Sequence, residues 1–310
     1  MAFYEPLHEL LHDMTVDGIR KSGPASWDSG HPAGAPYFEE FTPLIKRRGV
    51  TRYDRAFAFD RYFIERDALE PKLFAYLSSL IELARRSNKT AVFKFCRSLG
   101  RVAWMRAHFP RAFHLGIVRD PIAQWNSARR RTQSGDVYFL AAPLAILARN
   151  QAEPMVALTV AQFGLRLPSI RGRDFEKVLA QSVRFVESAP AAVLYRSFLA
   201  FWLVTACKSL PYTDATIDAD ALARSALYRK QIERTLEPSI GLEVNLEQAR
   251  TPTSNGVGFD LEAGEIEIAH RQAAGALTAI AASLGAQASG SIGTVARKLW
   301  AETQQEERAI

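Results

Sequence analysis

Residues 91–127 constrain the fold more than any other part of the chain. Two apolar runs of strand length, residues 91–95 and 113–118, enclose a helical segment over residues 100–108 that Pro110 ends. A crossover of this size can join two parallel strands. We therefore expect an α/β fold in which these two strands are parallel and helices cover the sheet.

The residues that follow the second strand predict a ligand site. Asp120 is a suitable N-cap, and Pro121 suits the first turn of a helix, where no backbone N–H is missed. Arg119 should therefore lie at the carboxyl end of a parallel strand and beside a helix N-terminus. Open α/β sheets bind ligands at that edge, and backbone donors at a helix start favour anions.

The helix after Arg119 brings further polar side chains to one face. A helical period places Ser127 and Arg131 on the face that begins at Asp120. Arg119 and Ser127 would suit a terminal phosphate, because arginine offers a charged fork of donors and serine one rotatable donor. Alternatively, Arg119 pairs with Asp120 or another acidic neighbour, and Ser127 is an ordinary surface residue.

Three stretches carry a resemblance to a known family. They are FKFCR at residues 93–97, HFPRA at 108–112, and Val118-Arg119-Asp120-Pro121 followed by Ser127, eight residues after Arg119. Over about 90–130 the chain resembles the sulfotransferases that use 3′-phosphoadenosine 5′-phosphosulfate (PAPS), especially their bacterial and carbohydrate-modifying branches. In that family a strand ends in Arg-Asp-Pro, and a serine follows on the next helix.

The resemblance implies a three-layer, P-loop-like parallel sheet flanked by helices, with a largely helical C-terminal half. It implies PAPS as the sulfuryl donor, a hydroxyl or amine of a carbohydrate or small molecule as the acceptor, and binding of the 3′-phosphate by Arg119 and Ser127. Arg131 is a further candidate for the cofactor, as are Thr253 and Ser254 in a late, turn-rich loop. Alternatively, Arg131 belongs to a hydrated run of charged residues, and Thr253 and Ser254 lie in a plain surface loop.

The start of the chain supplies candidates for the catalytic base. In the carbohydrate sulfotransferases a similar Tyr-Glu-Pro stretch follows a Gly/Ser/Thr-rich loop that holds the 5′-phosphosulfate, whereas no such loop precedes Tyr4 here. We expect either that the sequence is truncated or that the loop is missing. Glu5 and His8 are the candidate bases. Alternatively, Glu5 caps the next helix and His8 lies on the surface.

Composition narrows the functional classes. The chain has 310 residues and a formal charge of +6, which suits an anionic ligand. It lacks the stripe of basic and aromatic residues expected for nucleic-acid binding. Cys96 and Cys207 lie in apolar runs and predict buried thiols, with no disulfide framework or metal site. A kinase is disfavoured because no Gly-x-x-x-x-Gly-Lys-Ser/Thr run occurs. A non-catalytic relative that binds a nucleotide or sugar remains an alternative.

Organisation along the chain is predicted as one sulfotransferase-like domain over residues 1–287 and a mobile, charged tail over 288–310. No membrane span is expected, because residues 137–148 are too few and Arg196 interrupts residues 191–207; a cytoplasmic protein is therefore predicted. The oligomeric state stays open. Helices are expected over residues 67–86 (opened by a capping box of Asp67 and Glu70), 172–187, 191–208 and 260–284, and a late strand over 213–218 that precedes a helix from Asp220.

Overall fold

The structure, a computed structural model, is described here for residues 1–21, 36–172, 174–247, 249, 260–284 and 289–300. The candidate residues Thr253 and Ser254 lie outside these ranges. The chain forms two compact units, Met1–Trp104 and Met105–Ile310, and the single sulfotransferase-like domain over residues 1–287 stays a prediction.

The first unit combines one short strand pair with helices and 3₁₀ turns. Its elements are β1 (Ala2–Tyr4), α1 (Val16–Lys21), α2 (Pro71–Arg86), β2 (Val92–Lys94) and the start of α3 (Val102–His108), with 3₁₀ turns at Glu9–His12, Glu39–Leu44, Arg55–Phe57 and Leu99–Arg101. β1 and β2 are parallel, and Phe3 is aligned with Phe93. Phe3 is fully buried and contacts Phe41 edge-on, with 5.4 Å between ring centroids.

Helix α2 begins later than its sequence predicts. Pro71 occupies the first helical turn, and the side chain of Glu70 makes no cap hydrogen bond. The Glu70 carboxylate pairs with Arg61 instead. The capping box of Asp67 and Glu70 is therefore wrong, because an ion pair with a neighbouring loop takes the carboxylate that the cap needed.

The second unit is mostly helical. Its elements are β3 (Leu115–Val118), α4 (Pro121–Gln133), α5 (Tyr138–Arg149), α6 (Pro154–Gln162), α7 (Phe175–Ser188), α8 (Ala191–Ser209), β4 (Ala215–Asp218), α9 (Ala219–Arg224), α10 (Ala226–Ile240), α11 (Ala263–Leu284) and α12 (Ser289–Trp300). The predicted late strand and the predicted helices over 172–187, 191–208 and 260–284 correspond to β4, α7, α8 and α11 within a few residues.

The sheets differ from the expected one. β3 pairs in parallel with β4, from Leu115 opposite Ala215 to Val118 opposite Asp218. Among the described residues, β2 and β3 belong to two separate two-stranded sheets, so one sheet that contains both strands is not seen. The chain is a mixed α/β protein, but the three-layer sheet is not seen. Ile117 on β3 is 67% exposed, so helices do not cover that face of the strand.

Helix α8 forms the centre of the second unit. It contacts α4, α5, α6, α11 and α12, and Tyr195, Leu199 and Leu203 on it are fully buried. The segment Ala191–Tyr212 is long and apolar enough to cross a membrane, and 67% of its most apolar window is buried inside the protein. Such burial is typical of the core helix of a globular domain, and no membrane span is established.

The C-terminal helix α12 corrects the predicted tail. Val295 and Leu299 on this helix are buried, with at most 1% of their surface exposed, and α12 packs on α8 and α11. The prediction of a mobile segment is therefore wrong for residues 289–300. The short Gly/Ser stretch suggested a linker, but the apolar spacing of Val295 and Leu299 places one side of this helix in the core.

Candidate functional site

Arg119 lies where its sequence context predicts, between the end of β3 and the start of α4. Asp120 is the N-cap of α4, and its Oδ1 accepts a hydrogen bond of 2.8 Å from the backbone N–H of Ala123. Pro121 occupies the first helical turn. The cap and the proline fix the direction in which the chain leaves the strand, so they also fix the position of Arg119.

The guanidinium of Arg119 is partly buried and has spare hydrogen-bonding capacity. Its side chain is 19% exposed, and its Nε lies 3.8 Å from Oδ1 of Asp220. At that distance the two groups form an ion pair without a hydrogen bond, and Nε is a buried atom with no hydrogen-bond partner among the described residues. Burial lowers the pKa of Arg119, while the Asp220 carboxylate opposes this shift. An anion at this position would supply the missing acceptor.

The Asp220 carboxylate has two partners that are closer than Arg119. Its Oδ2 accepts hydrogen bonds from the backbone N–H of Asp120 at 2.7 Å and from Nζ of Lys298 at 2.5 Å. Lys298 also donates to Oδ1 of Asp218 at 2.6 Å. Asp218 caps α9 through the N–H groups of Asp220 and Ala221. The carboxylates at this strand end are therefore satisfied, whereas the guanidinium is not.

The pKa values of the acidic groups follow these contacts. Burial alone would raise the pKa of Asp218, but the Lys298 ammonium and the α9 backbone donors lower it below its ordinary value. The pKa of Asp120 is raised by burial and by the neighbouring Asp220 carboxylate. The charged groups at the carboxyl end of β3 and β4 thus influence one another's pKa values, although they come from three separate parts of the sequence.

Ser127 and Arg131 both lie on α4, as predicted, but in different surroundings. Ser127 is half-buried, and its hydroxyl makes no hydrogen bond with another described residue. Arg131 has local partners, since its guanidinium lies 4.9 Å from the ring of Phe139 and 3.9 Å from Oδ2 of Asp136. Arg131 is thereby directed toward the start of α5, and a contact with a ligand would have to compete with these neighbours.

Glu5 lies at the carboxyl end of β1, as expected. It is 5% exposed, and its Oε2 accepts a 3.1 Å hydrogen bond from the backbone N–H of Cys96. Its Oε1 lies 3.8 Å from Nζ of Lys94. The backbone of Glu5 has a φ of +47°, a left-handed conformation that is unfavourable for a residue with a side chain. The fold therefore holds this carboxylate in place at a cost in backbone strain.

Lys94 lies beside the Glu5 carboxylate, but the sequence did not single it out as functional. Its Nζ donates to the hydroxyl of Tyr37 at 3.4 Å. Burial would lower the pKa of Lys94, but Cys96, Tyr37 and the Glu5 carboxylate together raise it. The only sequence signal was a single charged residue within an apolar strand, where it should lie at an edge or a site.

His8 is a structural cap. It is 3% exposed, and its Nδ1 accepts a hydrogen bond of 3.2 Å from the backbone N–H of Leu10 at the start of the turn Glu9–His12. Burial and the nearby Arg97 hold the pKa of His8 well below its ordinary value. Both alternatives for this stretch are wrong, since His8 is not on the surface and the cap is His8, not Glu5.

Cysteines, possible metal ligands and cavities are the other features that could belong to a functional site. The Cys96 side chain is exposed, contrary to prediction, while Cys207 is buried as predicted. Burial raises the pKa of Cys207 to about 12. Within the described ranges no cluster of three or more His, Cys, Asp or Glu could hold a metal ion. Two cavities of the second unit lie between α5 and α8 and around residues 148–151 and 167–172; neither is lined by Arg119 or Ser127.

Comparisons with known proteins add no family assignment. No protein-family model, no curated protein and no solved structure matches the chain.

Proposed function

We propose that this chain is a PAPS-dependent sulfotransferase that transfers a sulfuryl group to a hydroxyl or amine of a carbohydrate or small molecule. The observation that carries the proposal is Arg119, a half-buried guanidinium at the carboxyl end of a parallel strand and the start of a capped helix. Across the described ranges of the chain its Nε has no hydrogen-bond partner. A phosphate group fits this position, because it supplies a charged acceptor for Nε that the described residues do not provide.

Arg119 and Ser127 are the residues that we assign to the 3′-phosphate of the cofactor. Both flank the first two turns of α4, and the Arg119 side chain remains partly open to solvent. PAPS supplies the activated sulfuryl group when it is bound. Contacts at its 3′-phosphate lie far from the sulfur, so their binding energy serves to position the reacting group.

The transfer breaks the S–O bond to adenosine 3′,5′-bisphosphate and forms an S–O or S–N bond to the acceptor, whose proton passes to a base. We assign the base to Glu5. Its Oε2 is held by the N–H of Cys96 and its Oε1 has only a 3.8 Å contact with Lys94, which leaves one carboxylate oxygen able to accept a proton. The role of His8 as a cap argues against its use as the base.

A non-catalytic protein that binds a nucleotide or sugar is the second candidate. It is favoured by the loss of His8 from the predicted pair of bases, since the Nδ1 of His8 is occupied by the N–H of Leu10. A transfer assay with a labelled sulfuryl donor separates the two candidates, because only the enzyme passes label to an acceptor. The sulfotransferase proposal also includes the three-layer sheet, the small-molecule or carbohydrate acceptor and the cytoplasmic location.

Calorimetric titration with adenosine 3′,5′-bisphosphate tests the assignment of Arg119. We expect Arg119→Ala to weaken binding by roughly 2–4 kcal/mol, because the variant loses a charge-assisted, forked contact. Arg106→Ala is the matched control, since Arg106 pairs with Asp214 at the opposite end of the same two strands. Equal affinities for wild type and Arg119→Ala would refute the proposal, as would tighter binding of ATP than of the bisphosphate.

A further inference from the structure

Lys298 is an unusual residue for a C-terminal helix, because its charged end is buried. It is 8% exposed, and it reaches from α12 to the carboxyl end of β4, where it donates to both Asp218 and Asp220. A buried ammonium of this kind is stable only with such partners. Its contact with Asp220 places it in direct competition with Arg119.

The two ends of the β3–β4 pair provide an internal comparison. At the amino end, Asp214 accepts the N–H of His114 at 2.8 Å and pairs closely with Arg106, whose Nη1 lies 2.5 Å from Oδ1. At the carboxyl end, Asp220 likewise accepts the N–H of Asp120, but Arg119 is 3.8 Å away.

The ends differ in one further group. Lys298 binds Asp220, whereas Arg106 is the one cation that pairs with Asp214 among the described residues. Where a lysine holds the carboxylate, the Nε of the arginine has no hydrogen-bond partner in the described part of the chain. Where no lysine does so, the arginine and the aspartate form a close pair.

We propose that Lys298 is a positioning residue that holds Asp220 away from Arg119 and so keeps the Arg119 guanidinium available to an anion. This inference rests on the proposed function and deepens it by naming a residue that controls anion affinity without contact to the anion. Removal of Lys298 leaves Asp220 with a single backbone donor. Its carboxylate then turns to Arg119, forms a close pair like that at the amino end, and opposes the bound phosphate.

Two double variants of equal net charge provide the test. Lys298→Met/Asp218→Asn retains the Asp220 carboxylate, and Lys298→Met/Asp220→Asn removes it. Each variant keeps one of the two carboxylates that Lys298 contacts, keeps an acceptor at the altered aspartate, and replaces the lysine with an apolar chain of similar length. We expect the first to bind adenosine 3′,5′-bisphosphate at least about tenfold more weakly than wild type. We expect the second to bind within about threefold of wild type.

A readout without nucleotide keeps this inference separable from the proposed function. The Nε–H resonance of Arg119, assigned by its absence in Arg119→Lys, should move in the variant that retains Asp220 and stay near its wild-type position in the variant that lacks it. Equal resonance positions in the two variants would overturn the positioning role even if the nucleotide binds. A resonance that moves as expected, in a protein that does not bind the bisphosphate, would uphold the role of Lys298 and refute the sulfotransferase assignment.

Discussion

The carboxyl ends of the two strand pairs present groups of opposite charge with incomplete partners. At β1–β2, the carboxylate of Glu5 is held by one backbone N–H and has a long contact with Lys94. At β3–β4, the guanidinium of Arg119 has a long contact with Asp220. Both pairs are parallel and of similar length, so the strand topology does not set the sign of the available charge. The sign of the available charge depends instead on which side chains bind the neighbouring groups of opposite charge.

The two ends also differ in how their charged group is held. Glu5 depends on its own backbone, because its left-handed conformation and the bond from Cys96 aim the carboxylate. Arg119 depends on a remote helix, since Lys298 from α12 takes the competing carboxylate. One arrangement is local and strained, and the other is assembled from distant segments. Variants at the two strand ends should therefore respond differently.

The largest effect is expected for the carboxylate of the first pair. Glu5→Gln should keep the hydrogen bond from Cys96 through its amide oxygen, but it cannot take the acceptor proton, so transfer should slow by about 10²–10⁴. Affinity for adenosine 3′,5′-bisphosphate should stay close to that of wild type. The measurement is initial rate with a labelled donor, with the exposed Glu39→Gln as control. A rate for Glu5→Gln equal to the control would remove Glu5 from the mechanism.

A smaller effect is expected on stability in the second pair. Asp220→Ala leaves the buried Lys298 with Asp218 alone and leaves the N–H of Asp120 without an acceptor, so the free energy of unfolding should fall by about 3 kcal/mol. Asp214→Ala should cost no more than about 1 kcal/mol, because Arg106 is 46% exposed. Urea unfolding measures both. Similar losses would mean that the two ends of β3–β4 are held alike, contrary to the comparison above.

The smallest effect is a change in how stability depends on pH. Burial lowers the pKa of His8 in the first unit and of His270 in the second. Nδ1 of His270 bonds the carbonyl of Leu299, next to Lys298, and its Nε2 bonds the hydroxyl of Tyr195 at 2.7 Å. Since the unfolded chain then binds more protons, the free energy of unfolding should fall as the pH drops below the ordinary histidine pKa of about 6.5.

Two variants test which histidine causes the loss of stability at low pH. His8→Asn retains an acceptor for the cap, and His270→Gln retains a polar group near α12, so each should lose less stability than wild type between pH 7.5 and pH 5.5. Thermal unfolding at the two pH values is the measurement. A wild-type pH dependence in both variants would show that neither buried histidine contributes to acid sensitivity.

Local features of the fold were predictable from the sequence. The cap at Asp120, the proline after it and the strand before it defined the end of β3 and the start of α4, because each signal acts within a few residues. The end of α2 at Arg86 was also predicted. The start of that helix was not, since the carboxylate of Glu70 pairs with Arg61.

The partners of the candidate residues were not predictable. His8 carried no cap signal, since histidine is not among the usual N-cap residues. Lys298 lies in a stretch that composition alone marks as a linker and charged tail, and it pairs with Asp220, 78 residues earlier in the chain. The exposed position of Cys96 depends on which residues cover the end of β2, and periodicity within a short strand does not reveal this.

The sequence by itself determined an arginine at the end of a strand, a capped helix after it, and a glutamate directly after the first strand. Short-range hydrogen bonds and side-chain periodicity set these features, and both are written in neighbouring residues. Only the tertiary structure decided that Asp220 is held by Lys298 and that Arg119 therefore keeps unused donors. The competition between two cations for one carboxylate depends on distances between segments far apart in the chain, and no local pattern encodes those distances.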